Sequence, residues 1–141
     1  MLYTLMKRIE ERFTFSKTER LTGTKRIDSL FKQGESFISY PLRVIYLIHE
    51  QTTVSACSIL VSVPKQRIKK AVHRNRIKRL IRESYRLDKQ LIDLSSINST
   101  QIDIAFIYVN DTTAEFLVIQ KAMQKALKQI SKRFQKTEQS E

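Results

Sequence analysis

Glycine, cysteine and long apolar runs are scarce in this sequence of 141 residues. Its two glycines, Gly23 and Gly34, are far apart, which excludes the Gly-rich loops of P-loop and dinucleotide-binding proteins, because those loops need several glycines close together. The single cysteine, Cys57, excludes an intrachain disulfide and a multi-thiolate metal site, and it fits a reducing compartment. No stretch approaches the roughly 20 apolar residues that span a bilayer.

The sequence also lacks a recognisable set of catalytic residues. Its two histidines, His49 and His73, do not stand in an HExxH motif or another zinc signature. The acidic residues are scattered, whereas a metal-dependent nuclease centre needs several carboxylates that converge on two metal ions. We therefore predict no catalytic and no metal-binding residue in this chain. Any reaction that it serves is expected to use the reacting groups of another molecule.

Positive charge is abundant and concentrated in one segment. Lys and Arg number 26 against 14 Asp and Glu, so the formal net charge is +12. Residues 64–89 hold 11 of the cations and only two acids, Glu83 and Asp88, a net charge of +9. Apolar residues interrupt this run, so it must fold against a core, and the 41% apolar composition suffices for one packed domain. We interpret the segment as an anion-binding surface for nucleic acid, with a membrane surface as the least favoured partner.

The spacing of apolar residues in this segment predicts a helix from about residue 74 to 92, after a short turn near 67–72. The core-facing stripe consists of Ile77, Leu80, Ile81, Ser84 and Leu91. The opposite face carries Asn75, Arg79, Arg82 and Arg86, flanked by Arg74, Arg76 and Lys78. Arginine suits phosphate in such a position, because its planar guanidinium donates two hydrogen bonds at once.

Two further helices are predicted. One spans Thr24–Gln33, with Thr24 as its N-cap, an apolar face of Ile27, Leu30 and Phe31, and Gly34 at its end. The other begins at a capping box of Thr112 and Glu115 and continues to about Phe134. Its predicted core face consists of Phe116, Ile119, Met123, Leu127 and Ile130. Another face carries Lys121, Lys125, Lys128 and Lys132, for which solubility is the favoured interpretation.

Three strands complete the predicted order α-β-β-α-β-α. Alternating apolar residues indicate strands over Phe37–His49 and Val54–Val63, which we expect to pair as a hairpin across a polar turn. The run Ile102–Val109 is apolar on both faces apart from Asp103, which indicates a central strand. The predicted fold class is a single α/β (α+β) two-layer sandwich with a central β-sheet.

The basic run carries a family resemblance. Residues 74–86, Arg-Asn-Arg-Ile-Lys-Arg-Leu-Ile-Arg-Glu-Ser-Tyr-Arg, resemble the RNR signature of the protein subunit of bacterial ribonuclease P. Residues 62–65, Ser-Val-Pro-Lys, and 69–72, Lys-Lys-Ala-Val, are similar to the segment that joins strand and helix in that family. Its N-terminal pattern is matched by Phe15, Arg20, Leu21, Phe31 and Gly34. The resemblance covers about residues 13–134.

The resemblance implies an RNA-binding protein that assembles with a large catalytic RNA. That RNA, with Mg²⁺ that it holds mainly itself, removes the 5′ leader from precursor tRNA. The protein assists by binding the leader and the catalytic RNA, needs no protein partner, and is inactive alone. The implied fold has a left-handed β-α-β crossover, although the general rule for such crossovers is right-handed.

Carried over by position, the RNR helix comprises Arg74, Asn75, Arg76, Lys78, Arg79, Arg82 and Arg86. The implied leader-binding cleft, between the sheet and the first helix, contains Phe31, Lys65, Arg67 and Lys69. Ile27 stands where the family often has an aromatic residue, so Tyr40 or Tyr46 would have to supply the second stacking surface. Core packing is the alternative role for Phe31.

We expect residues 1–12 to form a flexible N-terminal extension, residues 13–134 the single domain, and residues 135–141 a frayed tail. The start residue is Met1 or Met6, and the charged N-terminus does not resemble a secretory signal. A soluble, cytoplasmic protein is expected. Two alternatives stay open at this point: a non-catalytic, ribosome-associated RNA-binding module, and an autonomous nuclease.

Overall fold

The computed structural model describes residues 20–50, 56–92 and 100–139. Three helices lie in these ranges, α1 (Thr24–Gln33), α2 (Ala71–Asp88) and α3 (Phe116–Gln139), and a 3₁₀ turn, Lys89–Leu91, extends α2. Four strands accompany them, β1 (Glu35–Ser39), β2 (Leu42–Glu50), β3 (Ala56–Ser62) and β4 (Thr100–Tyr108). The predicted extension 1–12 and the predicted turn at 51–53 lie outside the described residues.

The four strands form one sheet in the order β1-β2-β4-β3. The strand expected over Phe37–His49 is two strands, because the chain reverses at Tyr40 and Pro41, and β1 pairs antiparallel with β2. Proline cannot donate a hydrogen bond to a sheet, so a turn suits it better than the interior of a strand. The single-strand prediction was therefore wrong at this turn.

The expected hairpin between β2 and β3 is also wrong. β4 lies between them, antiparallel to β2 and parallel to β3. The prediction of a central third strand is confirmed, since all residues of β4 except Ile107 are buried. A strand that is apolar on both faces gains most burial with a neighbour on each side, and this outweighs the short connection between β2 and β3.

Helices cover both faces of the sheet, which confirms the α+β class. Leu42, Val44 and Tyr46 pack in the larger core with α2 and α3. Ile45 packs in a smaller core with Leu30 of α1 on the opposite face, so α1 adds a third, partial layer to the two predicted. β3, α2 and β4 form a parallel β-α-β unit. Its handedness stays a prediction from the resemblance.

α2 begins at Ala71, three residues before the predicted start. A turn precedes the helix, but it lies at residues 64–68 and not at the predicted 67–72: the Pro64 carbonyl accepts hydrogen bonds from the N–H groups of Arg67 and Ile68. The predicted core stripe is confirmed at Ile77, Ile81 and Ser84, which are buried. Leu80 and Leu91 are half-buried, and Leu91 lies beyond the end of the helix at Asp88.

α1 has the predicted bounds, but its N-terminal cap differs. Gly23 occupies the cap position at a φ of 97°, a conformation that glycine adopts without strain, and no side chain caps the helix. The N–H of Gly34 donates to the carbonyl of Leu30, so the predicted end of the helix is confirmed. Thr24 is therefore the first helical residue and not the N-cap.

α3 begins at Phe116, so the predicted capping box is wrong, and it continues to Gln139, beyond the predicted end near Phe134. Thr112 donates its N–H and its hydroxyl to Oδ1 of Asn110, four residues before the first turn. The carbonyl of Glu115 instead accepts the first helical hydrogen bonds. The predicted core stripe is confirmed. Phe116 is half-buried, and the other four residues have no solvent exposure: Ile119, Met123, Leu127 and Ile130.

Candidate nucleic-acid interface

The face of α2 that points away from the sheet carries an exposed row of polar and cationic side chains. Ile77, Ile81 and Tyr85 face the core. A helix turns about 100° per residue, so residues about 180° around the axis from this stripe point outward. Four of the predicted residues are exposed there: Asn75, Arg76, Arg79 and Arg82. Among the described residues, no carboxylate forms an ion pair with any of these arginines, so their charge is open to solvent.

Arg74 is turned toward its own chain. It is half-buried, and its Nη1 donates to the carbonyls of Ile68, at 3.0 Å, and Lys69, at 2.6 Å. These hydrogen bonds tie the loop before α2 to the first turn of the helix. Arg74 therefore positions the cationic residues around it.

Arg86 shares its charge with a neighbour. Its Nε donates to Oε2 of Glu83 at 3.1 Å, and its Nη2 donates to Oε1 of the same carboxylate. The hydrogen bonds from Arg86 lower the pKa of Glu83, so the pair stays ionised at neutral pH. The charge of Arg86 is thus partly neutralised. Lys78, the remaining predicted residue, is half-buried at the edge of the outward face. The i, i+3 spacing to Glu83 was visible in the sequence and is the signal that would have separated Arg86 from the other arginines.

The aromatic candidates differ in solvent exposure. Phe31 is 47% exposed on α1, and Tyr40 is 64% exposed in the β1–β2 turn. Their rings are therefore accessible, whereas Ile27 is half-buried against the smaller core. The alternative of core packing for Phe31 does not hold.

Tyr46 does not lie in a cleft beside α1. Its side chain is buried on the opposite face of the sheet, the one that α2 and α3 cover. The hydroxyl donates to Glu35 and accepts a hydrogen bond from Arg133 at 2.9 Å. Burial raises the pKa of Tyr46, and the hydrogen bond to Glu35 adds to the effect. Tyr46 therefore has a structural role, which the alternating pattern of β2 alone did not show.

The predicted basic residues of the β3–α2 loop, Lys65, Arg67 and Lys69, are all exposed. Arg67 and Lys69 line a cavity of about 610 Å³ together with Lys70 and His73. The opposite wall comes from Asp111, Thr112 and Thr113 of the loop after β4, and Nη1 of Arg67 lies 3.1 Å from Oδ1 of Asp111. The cavity is thus at the carboxyl ends of two adjacent parallel strands, where α/β sheets commonly bind ligands.

An uncovered strip of the sheet is a part of the site that the sequence did not indicate. Register places Ile38, Arg43, Ile107 and Ser62 side by side across the four strands. Directly opposed residues share a face, and Ile107 belongs to the core beneath α1. Ile38 is 61% exposed, Arg43 is exposed, and Ile107 and Ser62 are half-buried, so α1 leaves this row partly open. The predicted hairpin of β2 with β3 did not reveal this row, because the row forms only when β4 lies beside β2.

On the other flank of α1, a buried carboxylate links the helix to the central strand. Asp103 is 1% exposed, and its Oδ1 accepts hydrogen bonds from Nη2 of Arg26, at 2.6 Å, and Nε2 of Gln101, at 2.9 Å. Nε2 of His49 lies 3.0 Å from Oδ2. Burial acts to raise the pKa of Asp103, but these hydrogen bonds outweigh it and lower the pKa. Because the carboxylate is ionised and only accepts, His49 donates from Nε2.

The described part of the chain contains no group of three His, Cys, Asp or Glu side chains placed to hold a metal ion. In the same ranges, no helix has both the length and the apolar character needed to cross a membrane.

Known proteins resemble this chain over most of its length. The sequence model of the Ribonuclease P family matches residues 15–131. The ribonuclease P protein component of Porphyromonas gingivalis is 43% identical over 120 residues, which cover 84% of this chain and 88% of that protein. That of Clostridioides difficile is 32% identical over 115 residues, which cover 81% of this chain and 93% of that protein.

Solved structures agree on the fold. The RNase P protein from Thermotoga maritima matches with a TM-score of 0.61 at 22% identity, covering 79% of this chain and 96% of that one. A structure of the Staphylococcus aureus RNase P protein matches with a TM-score of 0.58 at 24% identity, covering 79% of this chain and 94% of that one. The cationic helix on an α+β scaffold, the family match and the identity to relatives lead to one conclusion: the chain belongs to the ribonuclease P protein family, as the RNA-binding subunit of that holoenzyme.

Proposed function

We propose that the outward face of α2 binds the catalytic RNA, and that the uncovered strip beside α1 holds the single-stranded 5′ leader of precursor tRNA. The observation that carries the proposal is the row Arg76, Arg79 and Arg82, exposed and without a carboxylate partner among the described residues. Such a row of like charges is stable when a polyanion neutralises it. Each phosphate contact releases counterions, which makes binding strongly dependent on salt.

The leader site combines an aromatic ring, an apolar floor and cations. Phe31 offers a ring on which an unpaired base stacks, and stacking tolerates any base because every base has a π-face. Ile38 and Ile107 supply apolar surface along the strip, and Arg43 supplies a charge for the backbone. Lys65 and Arg67 follow directly after β3 at the end of the same row. This combination suits a single strand that is bound without regard to its sequence.

Bond cleavage is assigned to the RNA. We assign the Mg²⁺ of the reaction mainly to the RNA. The contribution of this chain is to bind and orient the two RNAs. Its compartment is proposed to be the cytoplasm, where precursor tRNA is made in a bacterium.

Reconstitution with a bacterial ribonuclease P RNA tests the proposal. At low Mg²⁺ we expect the protein to stimulate precursor tRNA cleavage over the RNA alone, and the protein alone to cut nothing. The variant with Arg76→Ala, Arg79→Ala and Arg82→Ala should fold, as judged by circular dichroism, and stimulate less. Absence of stimulation by the unaltered protein would remove the proposal, and cleavage without RNA would favour an autonomous nuclease. Equal affinity for precursor and mature tRNA would favour a general RNA-binding module.

A further inference from the structure

The outward face of α3 carries a lysine stripe, defined as Lys121, Lys125, Lys128 and Lys132. All four side chains are exposed. Their spacing of four, three and four residues keeps them in one row, about 16 Å long at a rise of 1.5 Å per residue. The buried residues of α3 lie on the side of the helix opposite the lysines, so the lysines point away from the sheet.

No acidic residue interrupts the stripe. The sequence from Phe116 to Arg133 contains no Asp or Glu, and no ion pair to a described carboxylate involves any of the four lysines. A surface that serves solubility typically mixes both signs of charge. Lysines four residues apart on a helix also repel one another. An uninterrupted cationic row is therefore better explained by an anionic partner than by solubility.

The stripe lies on the same side of the molecule as the arginine row of α2. Both helices cover one face of the sheet and pack against each other, and their shared boundary includes Asp88, near the side-chain amides of Gln120 and Gln124. Packed helices have axes about 8–10 Å apart. The outward faces of α2 and α3 are thus adjacent, and together they form one cationic surface two helices wide.

The chemistry of the stripe distinguishes it from the leader site. It holds no exposed aromatic side chain, so it lacks the stacking surface that single-stranded RNA uses. Lysine ammonium groups contact phosphates as point charges, and RNA duplexes are recognised mainly through phosphates and 2′-hydroxyls. The fitting partner is a double-stranded segment of RNA.

We propose that the lysine stripe is a second phosphate-contacting surface, which binds a duplex segment of the same catalytic RNA beside the segment held by α2. This inference rests on the proposed function, because it assumes that α2 faces that RNA. It predicts that the protein's footprint on the RNA is wider than one helix.

Charge removal in pairs tests the inference. Lys121→Gln with Lys125→Gln, and Lys128→Gln with Lys132→Gln, are compared with Lys25→Gln plus Lys32→Gln, two exposed lysines of α1 on the opposite side of the sheet. The measurement is the affinity for the catalytic RNA as a function of salt concentration. Each stripe pair should reduce the slope of log K against log salt by about 1.4 to 1.8, or roughly 0.7–0.9 for each phosphate that is no longer neutralised. The α1 pair, which removes the same charge, should leave the slope nearly unchanged.

The outcomes separate the possible explanations. Unchanged affinity and slope in both stripe pairs would overturn the inference in favour of solubility. Equal reductions in the stripe pairs and the α1 pair would also overturn it, since only overall charge would matter. Normal RNA binding with loss of an acidic protein partner would make the stripe a protein interface and overturn it as well. If the unaltered protein fails to bind the RNA, the proposed function falls first, and this result is distinct from the other three.

Discussion

Individual residues in this protein take roles that their local sequence does not show. Arg74 and Arg79 belong to the same basic run, yet Arg74 donates to loop carbonyls whereas Arg79 faces solvent. Phe31 and Tyr46 are both aromatic, yet Phe31 is exposed and Tyr46 is buried on the other face of the sheet. Side-chain chemistry alone therefore identifies candidates, and burial and hydrogen bonds decide among them.

Phe31→Ala tests whether the exposed ring stacks on a leader base. Loss of the stack should weaken binding of leader-bearing precursor tRNA to the holoenzyme by about 1–3 kcal/mol. Binding of mature tRNA should barely change, because it has no leader. Leu117→Ala, which truncates another exposed apolar side chain at 64% exposure, is the matched control. An equal effect on precursor and mature tRNA would indicate a folding defect instead.

Asp103→Asn tests the buried contact between α1 and β4. At pH 7 the substitution should cost about 1–3 kcal/mol of unfolding free energy, because Arg26 and His49 are left without an ionised acceptor. The pKa of Asp103 is lowered in the folded protein, so this contribution is fully present above the unfolded carboxyl pKa of about 3.9. It should disappear as the pH falls through the lower folded value.

Urea unfolding of both proteins between pH 7 and pH 2 measures this effect. The control is Asp28→Asn, which removes an exposed carboxylate of α1 and should change the unfolding free energy by less than about 0.5 kcal/mol. A difference between the Asp103 variant and the unaltered protein that stays constant over the whole pH range would contradict the assigned ion pairs.

At the scale of elements, each helix has one face for the core and another that is exposed to solvent. α2 packs Ile77 and Ile81 inward and presents Arg76, Arg79 and Arg82 outward. α1 packs Leu30 inward and leaves Phe31 exposed. These divisions follow from the 3.6-residue helical period, which is why the sequence predicted the inward stripes correctly.

A comparison within α2 tests whether open charge matters more than charge as such. Arg79 and Arg86 lie seven residues apart, and so on the same side of the helix, but only Arg86 is paired with Glu83. Arg79→Ala should reduce the salt slope of RNA binding by about 0.7–0.9, the value for a single phosphate. Arg86→Ala should reduce it less, because Glu83 already neutralises part of that charge. Equal slopes for the two variants would count against the distinction.

At the scale of the whole molecule, the sheet separates the two proposed RNA sites. α1 and the uncovered strip lie on one face, and the cationic surface of α2 and α3 lies on the other. If both proposed sites are correct, the protein stands between two RNAs, with the larger hydrophobic core behind the surface proposed to bind the catalytic RNA.

This separation predicts additivity. Phe31→Ala and Arg79→Ala change different faces and share no contact, so their effects on precursor tRNA cleavage should be independent. The decrease in kcat/KM of the double variant, expressed as free energy, should equal the sum of the single decreases within about 0.3–0.5 kcal/mol. The assay uses the holoenzyme at limiting protein concentration. A much larger or smaller combined effect would show that the two sites act as one.

The sequence by itself determined the properties that depend on near neighbours along the chain. These are the bounds of α1, the buried stripes of α2 and α3, the central character of β4, and the basic run with its RNR signature. Helical period, apolar runs and charge density are local, so a single sequence displays them.

Only the tertiary structure decided which strands are neighbours and which side of the sheet each residue faces. The hairpin assigned to β2 and β3 was wrong because strand pairing is set by burial of β4 on both of its faces, a competition between segments far apart in sequence. That pairing forms the uncovered strip of Ile38, Arg43, Ile107 and Ser62, and it removes Tyr46 from the leader site. It also brings the lysines of α3 beside the arginines of α2, because both helices must cover the same apolar face of the sheet.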